Sequence, residues 1–482
     1  MTKPTSIFAA LAEAAGHQGG LALIAGERAW SATEMLHNAE LLAERLAGYG
    51  VGTELAASLN DPVATAVVTL AADLAGIRLT HRDPEIPLAQ TAVPWVHDGS
   101  RHTPAAGESR WVDATGTTAL WFRRAAADGR KELNEVPPST QIFMTSGSTG
   151  TPTGVVRSAD AVMEDAHRVA QFLGYRPGAP VVCAAPLFHA YGFNYGLIAP
   201  LLAQAPVHVL PSRSLPSRYA AAVRGIGART LIALPFHYRV LVNDPRARKM
   251  DSLHAGVSAG APLDADTLER ATDLLPFPLY NCYGSSEAGA VTLSPVEARQ
   301  EPGFIGSPLP GVEACIDSGE LLLRSSSLAL GRVADDSPGG LAPLVDTDGW
   351  YRTGDLADSC AAAPAHPDGA VPTPPRLRLR GRTTNVINVA GEKVSPALVE
   401  QTLARHHAVV DVHVRGEADA SRGQVPVARV VLNPGTGVDE LTAWCRQNLA
   451  PQEVPRRFDV VLRIPRSSTG KPLSWTGPGN RS

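Results

Sequence analysis

The sequence predicts an α/β protein: a large N-terminal domain of several subdomains with mixed or parallel sheets over residues 1–382, and a small α+β domain over residues 383–482. Three observations predict it. Strand-type and helix-type segments alternate through the first third, as in a mainly parallel sheet covered by helices. The chain has 482 residues, too long for one ordinary core. Between residues 356 and 375 the composition turns to Ala, Pro, Asp and Gly, the mark of a poorly ordered surface excursion. Roughly a hundred residues of strand and helix signals follow, enough for a small domain.

The elements follow in order. Two short apolar runs, Leu21–Ala25 and 28–30, flank Gly26-Glu27 and read as strands. Ser31-Ala-Thr-Glu34 has the form of a capping box, opening a helix through Leu36, Leu41, Leu42 and Leu46 that glycines 48–52 stop. A further strand and helix occupy 55–76. Past the middle of the first domain, Ala159–Leu173 has helical spacing, 181–185 reads as a buried strand, 194–202 as a helix, and 207–210 and 231–234 as strands. In the last unit 394–403 and 441–449 read as helices, and 409–415 and 425–432 as strands. No internal repeat is visible.

Composition excludes several classes. Hydrophobic residues make up 44% and charged residues 19%, which suits a globular chain, and the net charge of -4 offers no general attraction for nucleic acid or anionic membrane. Arg376, Arg378, Arg380 and Arg382 alternate along one segment, which reads as one solvated strand face. The five cysteines show no paired spacing, arguing against a zinc site or disulfide framework and for a reducing compartment. The N-terminus lacks a secretory signal, and the apolar stretch 63–77 is broken by Asp73 and too short to span a bilayer. A cytoplasmic location is the expectation.

The run Met144-Thr-Ser-Gly-Ser-Thr-Gly-Thr-Pro-Thr-Gly154 carries the most chemistry. Its glycines allow close backbone approach to an anion, and Thr145, Ser146, Ser148 and Thr149 supply hydroxyl donors for phosphate oxygens. It is not the common P-loop, since no Gly-Lys-Ser/Thr follows. Apolar Ile142-Phe143-Met144 before it and Val155-Val156 after it argue for a clamped loop over a loose one.

Four later segments stand in order: Asn281-Cys-Tyr-Gly-Ser-Ser-Glu287, Trp350-Tyr-Arg-Thr-Gly-Asp355, Gly381-Arg-Thr-Thr-Asn-Val-Ile-Asn-Val-Ala-Gly391 and Pro465-Arg-Ser-Ser-Thr-Gly-Lys471. Together with the Thr145 loop they resemble the adenylate-forming enzymes, a superfamily of acyl-CoA synthetases, aryl-acid ligases, adenylation domains and luciferases. The resemblance implies ATP and Mg²⁺ as cofactors. A carboxylate would attack the α-phosphorus and expel pyrophosphate, and a thiol of CoA or of carrier-bound phosphopantetheine would then take the acyl group.

By the same resemblance, Thr145, Ser146, Gly147, Ser148, Thr149 and Gly150 hold the β- and γ-phosphates, and Glu287 ligates Mg²⁺. Ser286, where the family usually has threonine, donates to the α-phosphate. Tyr283 stacks on adenine and Asn281 meets its amino edge, with Cys282 and Gly284 in the same strand. Ser258-Ala259-Gly260-Ala261 fits either the far side of the adenine slot or a plain tight turn. Asp355 accepts the ribose hydroxyls with Arg382 beside it, and Lys471 reaches the carboxylate and α-phosphate. The small domain is implied to be mobile about a hinge at 382–385, with Gly391 bordering the thiol tunnel. Three positions depart from the pattern: Thr153 and Asn388 stand where lysines are usual, and Thr384 where an aspartate is.

The run Leu187-Phe-His-Ala-Tyr-Gly-Phe193 holds no acid to pair a substrate ammonium, which disfavours an α-amino acid. It resembles the Phe-His-x-x-Gly segment of acyl and aryl-acid ligases. His189 is then near the substrate carboxylate, although a hydrogen-bonded core histidine is an open alternative. Tyr191, Gly192, Phe193, Asn194, Phe236, His237 and Ser258 are the candidate acid pocket, suited to a small aryl or short acyl acid. An acyl carrier protein is one candidate partner; nucleic acid and a membrane span are not expected. Two other readings remain: an amino-acid adenylation domain, and a nucleotide-binding protein with impaired turnover.

Overall fold

The computed structural model describes residues 5–465 except 17–20, 27, 49–52, 87–92, 106–107, 125–132, 134, 147–151, 212–213, 298–302, 335–339, 361–374, 384–386, 391, 420 and 436. Four sheets organise the described residues. The first has eight strands in the order Gly289–Pro295, Leu279–Ser285, Ala255–Ser258, Thr230–Ala233, Val181–Cys183, Val207–Val209, Leu21–Ala25 and Arg28–Ser31. Its six central strands run parallel and each edge strand is antiparallel to its neighbour. The predicted class is met: near-continuous apolar strands sit in the middle, where both faces are covered.

The second sheet has nine strands, with parallel Gln141–Ser146, Arg78–His81, Glu54–Ser58 and Trp95–His97 at its centre. Gln141–Ser146 turns back antiparallel into Pro152–Arg157, and Gly331–Ala334 pairs with that second strand. A five-stranded antiparallel sheet contains Val312–Asp317, Glu320–Ser325, Tyr351–Cys360, Arg376–Arg382 and Phe304–Gly306. The last sheet, with helices Pro396–Ala404 and Val438–Asn448, is built wholly from residues after Arg382 and has its own apolar core around Val399, Leu403, Val430 and Leu441.

Local signals placed most helices. Ser31 accepts from the Glu34 N–H while the Glu34 carboxylate accepts from the Ser31 N–H, so the capping box forms and Ala32–Leu46 follows. Asp61 and Ser158 cap Pro62–Leu74 and Ala159–Leu173 in the same manner. Three expectations need correction. The helix read at 194–202 begins earlier, at Ala190–Phe193, and passes through a π-turn, Asn194–Ile198, before Ala199–Leu202. Pro200 has no N–H to return to Gly196, and the Ala199 N–H reaches Asn194 instead. Val394 ends the strand Glu392–Val394, because Ser395 caps and Pro396 starts the helix. The segment read as an excursion from 356 is strand as far as Cys360; its remainder, 361–374, lies outside the described residues.

No helix among the described residues is long and apolar enough to cross a membrane.

Candidate active site

The Tyr283 motif occupies the strand Leu279–Ser285 and the turn that returns as Gly289–Pro295. This turn admits no bulk. A Cβ on Gly284 would collide with the Gly289 carbonyl oxygen, and Gly289 itself has φ +72° with the Asp165 carboxylate pressed against it. Parallel register sets Ser258 beside Asn281, so the two halves of the expected adenine slot are neighbours. Ser258 is fully buried and its Oγ has no hydrogen-bond partner among the described residues. Ala259 is buried next to it. Cys282 points the other way, into the apolar core, where burial pushes its thiol well above the usual range. Its side chain is core; only its backbone borders the strand.

Two motifs distant in sequence meet at Asp355. The Tyr283 hydroxyl donates to Asp355 Oδ2 at 2.6 Å, and Arg382 Nε donates to Oδ1 at 2.7 Å. Asp355 is 7% exposed while the Arg382 side chain is 60% exposed. Burial first, and the Asp355 charge second, hold the Tyr283 hydroxyl well above its ordinary pKa, so it stays a donor. A register shift between Leu356 and Ala357 is what brings Arg382 opposite Asp355. The neighbouring arginines do other work: Arg378 and Arg380 both donate to Asp358, and Arg376 lies over the Phe304 ring.

Glu287 sits in the turn after Tyr283. Arg332 donates to its Oε1 from Nε at 3.1 Å and from Nη2 at 2.9 Å, and Nη2 also donates to the Tyr351 hydroxyl at 3.2 Å. The Ala329 N–H donates to the Glu287 carbonyl at 2.7 Å, which fixes the turn against the segment leading to Arg332. Ser286 is half-buried in this turn. The Glu287 carboxylate already faces a cation, so its charge and aim suit a divalent ion that takes oxygen ligands.

On the phosphate hairpin, Thr145 and Thr153 are cross-strand partners, and the Thr145 hydroxyl donates to the Thr153 carbonyl at 3.0 Å. The side chain of Ser146, and all of Gly147, Ser148, Thr149 and Gly150, lie outside the described residues. So do Thr384, Gly391 and Lys471.

The acid-pocket candidates divide. His189 is half-buried at the start of the helix Ala190–Phe193, with the Phe188 ring 4.4 Å away. The Tyr191 hydroxyl donates to the carbonyls of Ala233 and Val257, joining two parallel strands at their ends. A Cβ on Gly192 would strike the Pro186 carbonyl, so glycine there lets the helix close on the strand. Phe236 is 37% exposed and tilted against His237. Three candidates are committed elsewhere. Phe193 is fully buried between His81 and Phe143, Asn194 donates to Asp165 at 2.6 Å, and His237 accepts the Leu234 N–H while packed on Tyr219. All three are buried and packed against neighbouring side chains.

A family model described as AMP-binding enzyme matches residues 11–331, and one described as AMP-binding enzyme C-terminal domain matches 398–471. This chain belongs to the AMP-binding enzyme family. A methyl-dioxo-octahydroindenyl-propanoyl:CoA ligase of Mycobacterium tuberculosis is 30% identical over 400 residues, covering 80% of this chain and 74% of the relative. A 4-chlorobenzoate–CoA ligase of an Arthrobacter species is 30% identical over 348 residues, covering 68% of this chain and 64% of its own length. The fold is shared with ATP-bound MatB of Rhodopseudomonas palustris at a TM-score of 0.79, with 21% identity and 98% and 97% of the two chains covered. MenE of Bacillus subtilis, solved with an acyl-adenylate, gives a TM-score of 0.78 at 21% identity, over 98% of each chain.

For an AMP-binding enzyme, three residues that sequence reading missed shape the site. Arg332 holds Glu287 and is itself steadied by the Tyr351 hydroxyl, and buried Asp165 accepts from Asn194, Ala290 and Arg157, tying the acid segment, the Glu287 turn and the hairpin together. Tyr351 lies within the Trp350–Asp355 motif without a role read for it, and nothing in the local pattern marks Arg332 or Asp165. In the C-terminal part, His406, His407 and Glu440 bring their ligand-type atoms within 4.8 Å of one another. His406 Nδ1 accepts from the Ala408 N–H, which leaves the proton on Nε2, facing Glu440 at 3.4 Å.

Proposed function

We propose that this chain is an ATP-dependent carboxylic acid ligase that forms an acyl-adenylate and then an acyl thioester. The observation that carries the reading is the meeting of distant motifs at the Tyr283 strand and its turn: Asp355 and Arg382 with Tyr283, and Arg332 with Glu287, the Arg332 strand being paired with a hairpin rich in hydroxyls. Relatives whose names describe acid–CoA ligases support the same chemistry.

In the first half-reaction a carboxylate oxygen attacks the α-phosphorus, the bond to pyrophosphate breaks, and the acyl-adenylate forms. Asp355 is the acceptor for ribose hydroxyls, and Tyr283 offers its ring to the base. Glu287 would hold Mg²⁺, which neutralises phosphate oxygens when bound. Lys471 steadies the charge shared between the carboxylate and the α-phosphate. In the second half-reaction a thiol attacks the acyl carbonyl, loses its proton, and AMP departs. The small domain after Arg382 is proposed to move between the two steps. His189 and Phe236, beside Tyr191 and Ser258, form the acid side, suited to a small aryl or acyl acid; the acceptor is CoA or a carrier phosphopantetheine.

A pyrophosphate-release screen with benzoates, cinnamates, fatty acids and amino acids tests this, with CoA added to trap the product. Release with an aryl or acyl acid, followed by CoA consumption, is the expected result. Release with amino acids alone would move the chain to the adenylation domains. A second reading, nucleotide binding without turnover, draws on the missing lysines at Thr153 and Asn388; ATP binding with no release from any acid would establish it.

A further inference from the structure

We propose that Arg332 is the cation that engages the ATP polyphosphate in this chain, supplying a charge that its phosphate hairpin does not present at its surface. The proposal rests on the ATP-ligase reading above. Residues 144–156 contain four serines and threonines before Thr151 but not one Lys or Arg, and Arg157, which ends the hairpin's returning strand, is 1% exposed and already paired with Asp165. Hydroxyls and amides orient phosphates, yet several negative charges brought together need a positive partner.

Arg332 is placed to be that partner. Its strand, Gly331–Ala334, is hydrogen-bonded to the returning strand of the hairpin, with Arg332 opposite Val155 and Ala334 opposite Thr153. The side chain is 43% exposed, so the guanidinium is reachable from solvent. Nε and Nη2 are held by Glu287 and Tyr351, and Nη1 has no partner among the described residues. Arginine stays protonated, and its planar fork suits phosphate oxygens as well as carboxylate. The Glu287 carboxylate takes two of the guanidinium's donors, Nε and Nη2, a fork that phosphate oxygens accept equally well. When ATP enters, the guanidinium exchanges Glu287 for the β- and γ-phosphates, and Glu287 is released to face the metal.

The test is calorimetric binding of ATP, with and without Mg²⁺, and of AMP, to the wild type, Arg332→Gln, Thr153→Lys and the double variant. AMP lacks the outer phosphates, so it reports whether the rest of the site is intact. Arg332→Gln should weaken ATP about tenfold or more while AMP stays within about twofold. Thr153→Lys should restore most of the lost ATP affinity in the double variant, because it returns a charge to the hairpin. ATP affinity unchanged in Arg332→Gln overturns the proposal. Equal weakening of ATP and AMP also overturns it, since Arg332 would then only prop up Glu287 and Tyr351. A wild type that binds no ATP overturns the ligase reading itself, an outcome distinct from a neutral Arg332 variant.

Discussion

Asp355 and Arg382 stand opposite each other on adjacent antiparallel strands, and Arg382 Nε donates to Asp355 Oδ1 at 2.7 Å. The same carboxylate accepts the Tyr283 hydroxyl from a different sheet. One buried acid therefore joins the sheet that carries the Glu287 turn to the sheet that leads into the small domain. A ribose bound here would share Asp355 with both donors, so the acid is oriented before any nucleotide arrives.

Replacing that acid should be felt by every adenine nucleotide. Asp355→Ala should weaken ATP and AMP alike, by about tenfold or more, since a hydrogen bond to a charged group is worth roughly 1.5–3 kcal/mol. Calorimetry with both nucleotides reads this directly. An unchanged affinity for AMP would remove the ribose role.

Lys471 should separate binding from chemistry. Lys471→Ala should retain ATP affinity within about twofold while pyrophosphate release falls by about a hundredfold or more, the scale of one lost charge-stabilising donor. Single-turnover release beside calorimetry distinguishes the two effects. Full-rate adenylation in the variant contradicts the assignment.

Asp165 should be a stability residue first. It is fully buried and accepts from Arg157 at 3.3 Å, Asn194 at 2.6 Å and the Ala290 N–H at 2.9 Å. Asp165→Ala leaves Arg157, itself 1% exposed, without its counter-charge, and should cost about 3–5 kcal/mol in urea unfolding. A loss below about 1 kcal/mol would show that the network is dispensable.

Asp73 gives a pH signature. It is 3% exposed, burial pushes its carboxyl up to about 6 against hydrogen bonds from Phe8, Ser6 and Ile7, and Oδ1 has no partner among the described residues while Oδ2 accepts the Phe8 N–H at 2.8 Å. The folded state thus binds this proton more tightly than the unfolded chain. Its contribution is fully present below the ordinary carboxyl range and is lost as pH rises through about 6, amounting to about 3 kcal/mol by neutrality. Asp73→Asn keeps an acceptor for Phe8 and carries no charge. Its gain in melting temperature over the wild type should be small near pH 4 and grow up to about pH 7. A gain equal at every pH would point to packing instead of ionisation.

Much of the fold was legible because its signals are local. The Ser31–Glu34 box, the Asp61 and Ser158 caps, and the apolar lead-in to Thr145 each act within a few residues, where φ, ψ and one or two hydrogen bonds decide the outcome. The motifs at Tyr283, Glu287, Asp355 and Arg382 were legible by resemblance, and the structure brings them together. Phe193, Asn194 and His237 are buried, and a polar or aromatic residue reads the same in the sequence whether it lines a pocket or satisfies a core.

By itself, the order of residues determined the α/β alternation, the hydroxyl-rich hairpin and the family to which the chain belongs. Tertiary structure alone decided which charges meet. Arg332 reaches Glu287 across 45 residues, Ala290 reaches Asp165 across 125, and Tyr283 reaches Asp355 across 72. Those meetings depend on strand register, one bulge and the packing of whole sheets. No short stretch of sequence contains that information, because the free energy that selects a register is spread over every buried side chain in the sheet.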